Sequence, residues 1–394
     1  MLKGNKGEWS ELYVIIKMLA DGELLQANCD LSANAELKYS IIKVYKEEKD
    51  YMIEFERIND SQITTSTSLG KTRMDSTVEE FKVLADKILY GIKNSSNTFE
   101  IKNVISELNR LNIFKLKADT KSKVDVRARI YDYRIAKETD LGFSIKSLLG
   151  AKSTLFNTGV GNNFRYRIND YEENDIKQFN RETLLDINST NIVGRRIALI
   201  EKRGGKMVFQ NIKSPQLYMN LKMIDGDLPA ILEKALYYRF KLGKTRVDAI
   251  CEILEREDPL NYYRELPNTQ RLYVYKMKRF LMEASMGMTS ETMWMGEYDA
   301  FGGVIFAKKD GEIVCFHIYD INVLRDYLFN NTYFEQPSTG EDDKNPGFPK
   351  PRKTNKEKEN SQDFSQSKTN NYGWLLEIDG KNYIDINLQI RFSN

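Results

Sequence analysis

The stretch VDVRARIYDYRIAKETDLGFSIKS, residues 124–147, decides how we interpret this sequence. Two segments rich in β-formers flank a polar turn near 133–138, which predicts a β-hairpin. Pairing about that turn sets Asp125 opposite Lys146. Because cross-strand partners share a sheet face, we expect this acid and this amine to lie close together.

The same pairing sets Arg127 opposite Ser144, so Ser144 joins Asp125 on that face. Phe143 and Ile145 then point into a core on the other side of the sheet. A slip of one residue in the register would carry the whole polar set to the wrong face.

An acid beside a lysine suits phosphodiester hydrolysis. A carboxylate such as Asp125 can hold Mg²⁺, which activates water, and Lys146 can orient that water and stabilise developing negative charge. A single carboxylate is a poor Mg²⁺ site, however, and Ser144 stands where a second acid is expected. Another acid must therefore come from elsewhere. Taken alone, Ser-x-Lys on a strand is a weak motif, and a plain structural strand explains it as well.

Residues 8–20 are predicted to form a helix with a continuous apolar face. That face is built by Leu12, Ile15, Ile16 and Leu19. Glu8 lies near its centre and Glu11 on its flank, so either can supply the missing acid. The structural alternative is that both acids favour a helix N-terminus through the helix dipole. Helix geometry alone leaves these alternatives open.

Composition narrows the chemistry further. The chain of 394 residues has a single histidine, His317, in a predicted strand, so histidine-based triads and zinc sites are poorly supported and a structural or interface role is expected there. Three scattered cysteines argue against a disulfide framework and fit a cytoplasmic protein. The N-terminus does not resemble a secretory signal, and no run of apolar residues is long enough for a membrane span.

The expected architecture is mixed α/β (α+β): a central mixed sheet flanked by helices, with an additional largely helical region. We predict a nuclease core over 1–170, a recognition and helical region over 171–300, and C-terminal strands over 301–394. Residues 338–371 are polar and low in apolar content, which predicts a disordered insertion.

Net charge is only +2, so nucleic-acid binding must rest on local patches. Basic residues outnumber acids between 110 and 167, and polar loops follow the predicted strand that carries Lys146. A solvated surface or an ordinary loop explains these features equally well. The candidate DNA-contacting residues are Lys152, Ser153, Thr154, Asn157, Asn162, Asn163, Arg165, Arg195 and Arg196. Arg195 and Arg196 are the candidate base readers, because arginine reads guanine bidentately.

Several longer strings resemble the HpaII family of type II restriction endonucleases, in the same order along the chain. They are KGEWSELYV (6–14), GFSIKS (142–147), STLFN (153–157), NNFRY (162–166), FGGVIFAKKDGEIVCFHIYD (301–320), LFNNTYFEQPS (328–338) and INLQIRF (386–392).

This resemblance implies a restriction-endonuclease-like fold and a PD-(D/E)xK nuclease that cuts double-stranded DNA with Mg²⁺, with 5′-CCGG as the first expectation for its site. It assigns Asp125 as metal ligand and puts Ser144-Ile145-Lys146 in the (D/E)xK position. Glu11, with Glu8 as substitute, becomes the helix acid. A restriction enzyme also implies a cognate DNA methyltransferase. A palindromic site favours a symmetric homodimer, although a monomer stays open.

Two alternatives compete with the nuclease. A non-catalytic DNA-binding protein would use the basic segments without cutting, although the presence of both Asp125 and Lys146 argues against it. An acyl hydrolase would use Ser144 with Lys146, but no glycine-shaped turn surrounds the serine.

Overall fold

The chain contains both helices and strands in this computed structural model. It describes residues 2–70, 73–116, 124–150, 153–157, 159–183, 191–265, 267–298, 300–336, 341–342, 345–349 and 372–393. The helices are α1 (Lys6–Asp21), α2 (Val78–Lys93), α3 (Ile105–Arg110), α4 (Ile176–Glu182), α5 (Ile192–Lys202), α6 (Pro215–Ile224), α7 (Leu228–Lys241), α8 (Val247–Glu257), α9 (Leu272–Ser285) and α10 (Ile321–Asn330).

The strands fall into several separate sheets. They are β1 (Glu23–Ala27), β2 (Ala33–Glu47), β3 (Met52–Arg57), β4 (Gln62–Thr67), β5 (Met74–Thr77), β6 (Val126–Asp132), β7 (Lys137–Ser147), β8 (Thr154–Phe156), β9 (Asn163–Asn169), β10 (Lys206–Ile212), β11 (Gly303–Ala307), β12 (Ile313–His317), β13 (Thr332–Phe334), β14 (Glu341–Asp342), β15 (Asn345–Pro349), β16 (Leu375–Ile378), β17 (Lys381–Asn387) and β18 (Ile390–Phe392).

The chain divides into two compact units. The first comprises residues 1–153 and 297–327, and the second comprises 154–296 and 328–393. Residues 301–327 join the first unit because β11 and β12 complete its sheet. The functional division proposed from the sequence, 1–170, 171–300 and 301–394, has different bounds and stays a prediction.

A nine-stranded mixed sheet forms the first unit, in the order β1-β12-β11-β7-β6-β2-β3-β4-β5. Strand β7 lies between β6, to which it is antiparallel, and β11, to which it is parallel. Helices α1 and α2 pack together, and their apolar side chains share one core with Phe143 and Ile145. The predicted central mixed sheet with flanking helices is confirmed.

Helix α1 begins with a capping box. Asn5 accepts the backbone N–H of Glu8 at 3.0 Å, and the Glu8 carboxylate accepts the N–H of Asn5 at 2.9 Å. These bonds satisfy backbone donors that have no partner inside the helix. At the other end, Gly22 adopts a left-handed φ of 76°, which stops the helix. The predicted helix over 8–20 is confirmed, and it begins two residues earlier and ends one residue later.

The predicted hairpin of β6 and β7 is confirmed, but its predicted register is wrong by two residues. Val126 pairs with Phe143 and Arg127 with Gly142, rather than with Ser144. Asp125 therefore lies level with Ser144 instead of Lys146. Because side chains alternate with a period of two, this shift leaves every residue on its predicted face. Phe143 and Ile145 are in the core, as expected.

Within the second unit, β10-β9-β17-β16 form a four-stranded antiparallel sheet and β13-β18-β8 form a smaller one. One face of the larger sheet is apolar: Phe164, Tyr166 and Ile168 are buried, and the Tyr166 hydroxyl donates to the Glu233 carbonyl of α7 at 2.7 Å. The expected additional helical region is present, and α7, α8 and α9 follow one another within residues 228–285.

Several element ends are well defined. Thr77 caps α2, and the preceding Ser76 still belongs to β5. The N-cap of α9 is Arg271. The C-terminal residues form two strands, β17 and β18.

Part of the polar segment 338–371 is described. Strands β14 and β15 form an antiparallel pair there. The remainder of that segment lies outside the described residues, so its predicted disorder stays a prediction. Elsewhere, Cys29, Cys251 and Cys315 are free thiols, as expected. Among the described residues, no helix combines the length and apolar composition that crossing a membrane requires.

Candidate active site

Asp125 lies immediately before β6, at the level of Ser144 on β7. Its backbone N–H donates to the Phe143 carbonyl at 3.0 Å. Its carboxylate Oδ2 accepts the Ile145 N–H at 2.6 Å and the Ser144 hydroxyl at 3.2 Å. Two donors on one oxygen fix the direction of this carboxylate.

Lys146 follows two residues later on β7, on the same face as Ser144. Its neighbour on β11 is Phe306, which is fully buried. The lysine side chain keeps partial access to solvent, but surrounding protein atoms desolvate the amine. Burial therefore lowers the pKa of Lys146, while the negative charges of Asp125 and Glu11 act to raise it.

The two acids of α1 have different surroundings. Glu8 forms the capping box with Asn5, which gives this acid a structural role. Glu11, three residues on, is close enough for its charge to act on Lys146. Between them, the Ser10 hydroxyl hydrogen-bonds the Ser147 hydroxyl at 2.7 Å, which ties α1 to the end of the lysine strand. The structure thus brings Asp125, Ser144, Lys146 and Glu11 together near the C-terminal end of β7.

A cavity of about 120 Å³ opens beside Asp125. Its lining residues are Ile15, Tyr45, Lys46, Glu47, Met52, Leu116, Val124, Asp125, Val126 and Arg127. Lys46 is buried at 3% exposure and pairs with the equally buried Glu48 at 3.2 Å. Sequence reasoning missed this pair, although Lys46 occupies an inward position of β2, two residues from the buried Val44.

The acids available for a metal are few. Within the described residues, no group of three or more His, Cys, Asp or Glu side chains is arranged to hold a metal ion. Asp125 and Glu11 are the acids beside Lys146 that could supply oxygen ligands, and Mg²⁺ takes one or two carboxylates together with waters and substrate phosphate.

Comparison with known proteins decides the family. The model of the HpaII restriction endonuclease family matches residues 5–344. The chain is 33% identical over 393 residues to the type II restriction enzyme HpaII of Haemophilus parainfluenzae, covering 99% of this chain and 98% of that enzyme. The chain belongs to the HpaII restriction endonuclease family. No solved structure matches it.

As a member of the HpaII family, the chain is a type II restriction endonuclease, and DNA is its substrate. The candidate DNA-contacting residues that follow the lysine strand have varied surroundings. The Ser153 hydroxyl donates to the Ser147 carbonyl in the first unit, whereas Thr154 pairs with Arg391 in the small sheet of the second. Asn157 is exposed, and Lys152 lies outside the described residues.

Three other candidates lie around β9. Asn162 and Asn163 are buried, at 2% and 0% exposure, so their side chains are poorly placed to reach a ligand. Arg165 is partly buried and binds Asp385 through two nitrogens.

The prediction that Arg196 reads a DNA base is wrong. The neighbouring Arg195 is partly exposed, so for Arg195 it stays a prediction. Arg196 is fully buried, donates to the Thr183 hydroxyl at 2.9 Å and lies 4.1 Å from the ring centre of Trp374. A base edge cannot reach it in this fold. The sequence carried a signal, because Arg196 is three residues after Val193 and four before Ile200, on the buried face of α5.

Proposed function

We propose that this endonuclease hydrolyses phosphodiester bonds of double-stranded DNA at the Asp125–Lys146 site, with Mg²⁺ as cofactor. The observation that carries the proposal is the fixed carboxylate of Asp125 beside the desolvated amine of Lys146 on one sheet face. This acid and amine are the pair that the PD-(D/E)xK chemistry requires.

Asp125 and Glu11 are the residues that would hold the metal. When bound, Mg²⁺ polarises the scissile phosphate and lowers the pKa of a bound water. The Ile145 N–H and the Ser144 hydroxyl keep the Asp125 carboxylate in a fixed direction. Lys146 orients the attacking water and stabilises the negative charge that grows on the phosphate oxygens. Ser144 therefore supports Asp125 rather than replacing the second acid.

The recognition sequence, the partner and the location are proposals that follow from the family resemblance. We infer 5′-CCGG as the site, a cognate DNA methyltransferase as the functional partner that protects the host, and a cytoplasmic location. A palindromic site favours a symmetric homodimer.

Plasmid cleavage tests this function. We expect discrete fragments in Mg²⁺ and none in EDTA, with fragment ends that map to CCGG. Asp125→Asn and Lys146→Ala should each slow cleavage by about a thousandfold or more, because each removes a group that acts in the transition state. Binding of a labelled duplex in EDTA should stay close to that of the unaltered protein.

Lys137→Ala is the matched control, since Lys137 is an exposed lysine at the other end of the same strand. It should cut at the normal rate. Normal cleavage by the Lys146→Ala protein would overturn the site, whereas DNA binding without any cleavage by the unaltered protein would favour a non-catalytic DNA-binding protein.

The acyl hydrolase alternative loses support. The Ser144 hydroxyl donates to Asp125, and Ser144 lies in a regular strand paired with Val304 rather than in a sharp turn.

A further inference from the structure

The polar face of the β10-β9-β17-β16 sheet carries a cluster that the proposed chemistry does not use. Side chains of β9 alternate between faces, so Arg165 and Arg167 point away from the buried Tyr166. On the neighbouring strand β17, Asp385 lies opposite Arg165 and Tyr383 opposite Arg167.

One buried acid, Asp385, binds two cations, Arg165 and Lys213. Asp385 is fully buried and accepts Arg165 Nε at 2.8 Å, Arg165 Nη2 at 3.1 Å and Lys213 Nζ at 2.7 Å. Arg165 and Lys213 each keep 16% of their side chain exposed. Because one carboxylate faces two cations, a net positive charge remains.

Arg167 adds a second surplus charge to this face. It is partly exposed, and its buried Nε has no hydrogen-bond partner among the described residues. Lys206, further along the sheet, is different, because it forms an ion pair with Asp170 at 2.9 Å. The Arg165 cluster, defined as Arg165, Arg167, Lys213 and Asp385, is therefore cationic by two charges.

The Arg165 guanidinium is also held in place before any ligand arrives. Its Nε and Nη2 are bound to Asp385, and its Cζ lies 5.6 Å from the ring centre of Tyr383. Fixing a side chain in advance lowers the entropy lost on binding. A rigid fork with its remaining N–H groups directed away from the acid suits the oxygens of a phosphate.

We propose that the Arg165 cluster binds the phosphodiester backbone of the DNA substrate, with Asp385 as the positioning residue for Arg165 and Lys213. This inference rests on the proposed function in one respect, namely that DNA is bound before it is cut. The phosphate is favoured over a base edge because the surplus groups are all cations, and because most protein hydrogen bonds to DNA go to phosphate and sugar oxygens.

The test measures binding without cleavage. Fluorescence anisotropy of two labelled duplexes in EDTA, one with CCGG and one without, gives both affinities at several salt concentrations. Arg167→Gln should weaken binding of both duplexes by about tenfold, because one charge-assisted contact is lost. It should also make the slope of log affinity against log salt shallower by about one.

Arg165→Lys is the second variant. It keeps the charge but loses the fork, so we expect weaker binding of both duplexes with an unchanged salt slope. Arg181→Gln is the matched control, because Arg181 is an exposed arginine on α4 of the same unit. It should bind both duplexes normally. Thermal melting establishes that each variant is folded.

Normal binding by Arg167→Gln and Arg165→Lys would overturn the inference while leaving the catalytic site untouched. A loss confined to the CCGG duplex would overturn the assignment to phosphate. An unaltered protein that binds DNA but fails to cut would instead contradict the proposed catalysis and leave this inference standing.

Discussion

Ser144 stands in the proposed (D/E)xK position, where an acid is expected. Its hydroxyl supplies one of two hydrogen bonds to Asp125 Oδ2, and the Ile145 N–H supplies the other. Ser144→Ala should therefore slow plasmid cleavage by about tenfold, since a hydrogen bond to a charged group contributes about 1.5 kcal/mol or somewhat more. A nucleophilic serine would instead make the loss complete, so the residual rate separates the two roles.

His317 is a buried residue whose titration should be visible in stability. It stacks on Tyr39 with ring centres 5.0 Å apart, and burial, aided by Arg134, lowers its pKa to about 4. Below pH 6.5 His317 becomes protonated in the unfolded chain, whereas in the folded protein it stays neutral until the pH approaches 4. The free energy of unfolding should therefore fall by about 3 kcal/mol between pH 6.5 and 4 because of this residue.

Chemical denaturation across that pH range checks the expectation. His317→Asn keeps an acceptor for the Tyr319 N–H, which His317 Nδ1 now accepts at 3.3 Å. Its stability should depend less steeply on pH than that of the unaltered protein. Equal slopes for both proteins would show that His317 is not the responsible group.

At the scale of elements, the turn into β11 depends on a glycine. Gly303 has a φ of 112°, and a Cβ there would lie 2.0 Å from the Phe316 carbonyl of β12. Gly303→Ala should lower the free energy of unfolding by roughly 3 kcal/mol or more, because backbone atoms cannot move aside.

Gly204 provides the comparison for this substitution. It also has a positive φ, 88°, but open space surrounds its Cβ position. Gly204→Ala should therefore cost only about 1 kcal/mol, the penalty of the left-handed conformation alone. Similar losses in the two variants, measured by urea unfolding, would contradict the role assigned to the Phe316 contact.

Elements also show why the register was predicted only in part. The alternation of Val126, Ala128 and Ile130 assigns the buried face of β6, but it is equally satisfied by registers two residues apart. The turn decides between them, and here it spans 133–136 instead of 133–138. Asp125 and Lys146 therefore lie on one face of the sheet, as predicted. Asp125 is level with Ser144, however, and not with Lys146.

For the whole molecule, local patterns predicted the fold class and the shared face of Asp125, Ser144 and Lys146, and long-range packing explains what they missed. The residues that build the β6–β7 hairpin and α1 lie in short, strongly patterned segments. Lys46 approaches Asp125 from a strand about 80 residues earlier, and Asp385 reaches Arg165 from a strand 220 residues later. The hydrophobic periodicity within one segment gives no information about partners so distant in the sequence. Arg195 and Arg196 look alike in sequence, yet helix packing buries only the second.

The position of β7 between β6 and β11 has a consequence for synthesis of the enzyme. The strand that carries Lys146 receives its second neighbour only from residues 303–307, far along the chain. An incomplete chain on the ribosome thus leaves the lysine strand open on one side, with Phe306 not yet packed beside it. The site at which we propose that DNA is cut is therefore completed only after most of the polypeptide has been made.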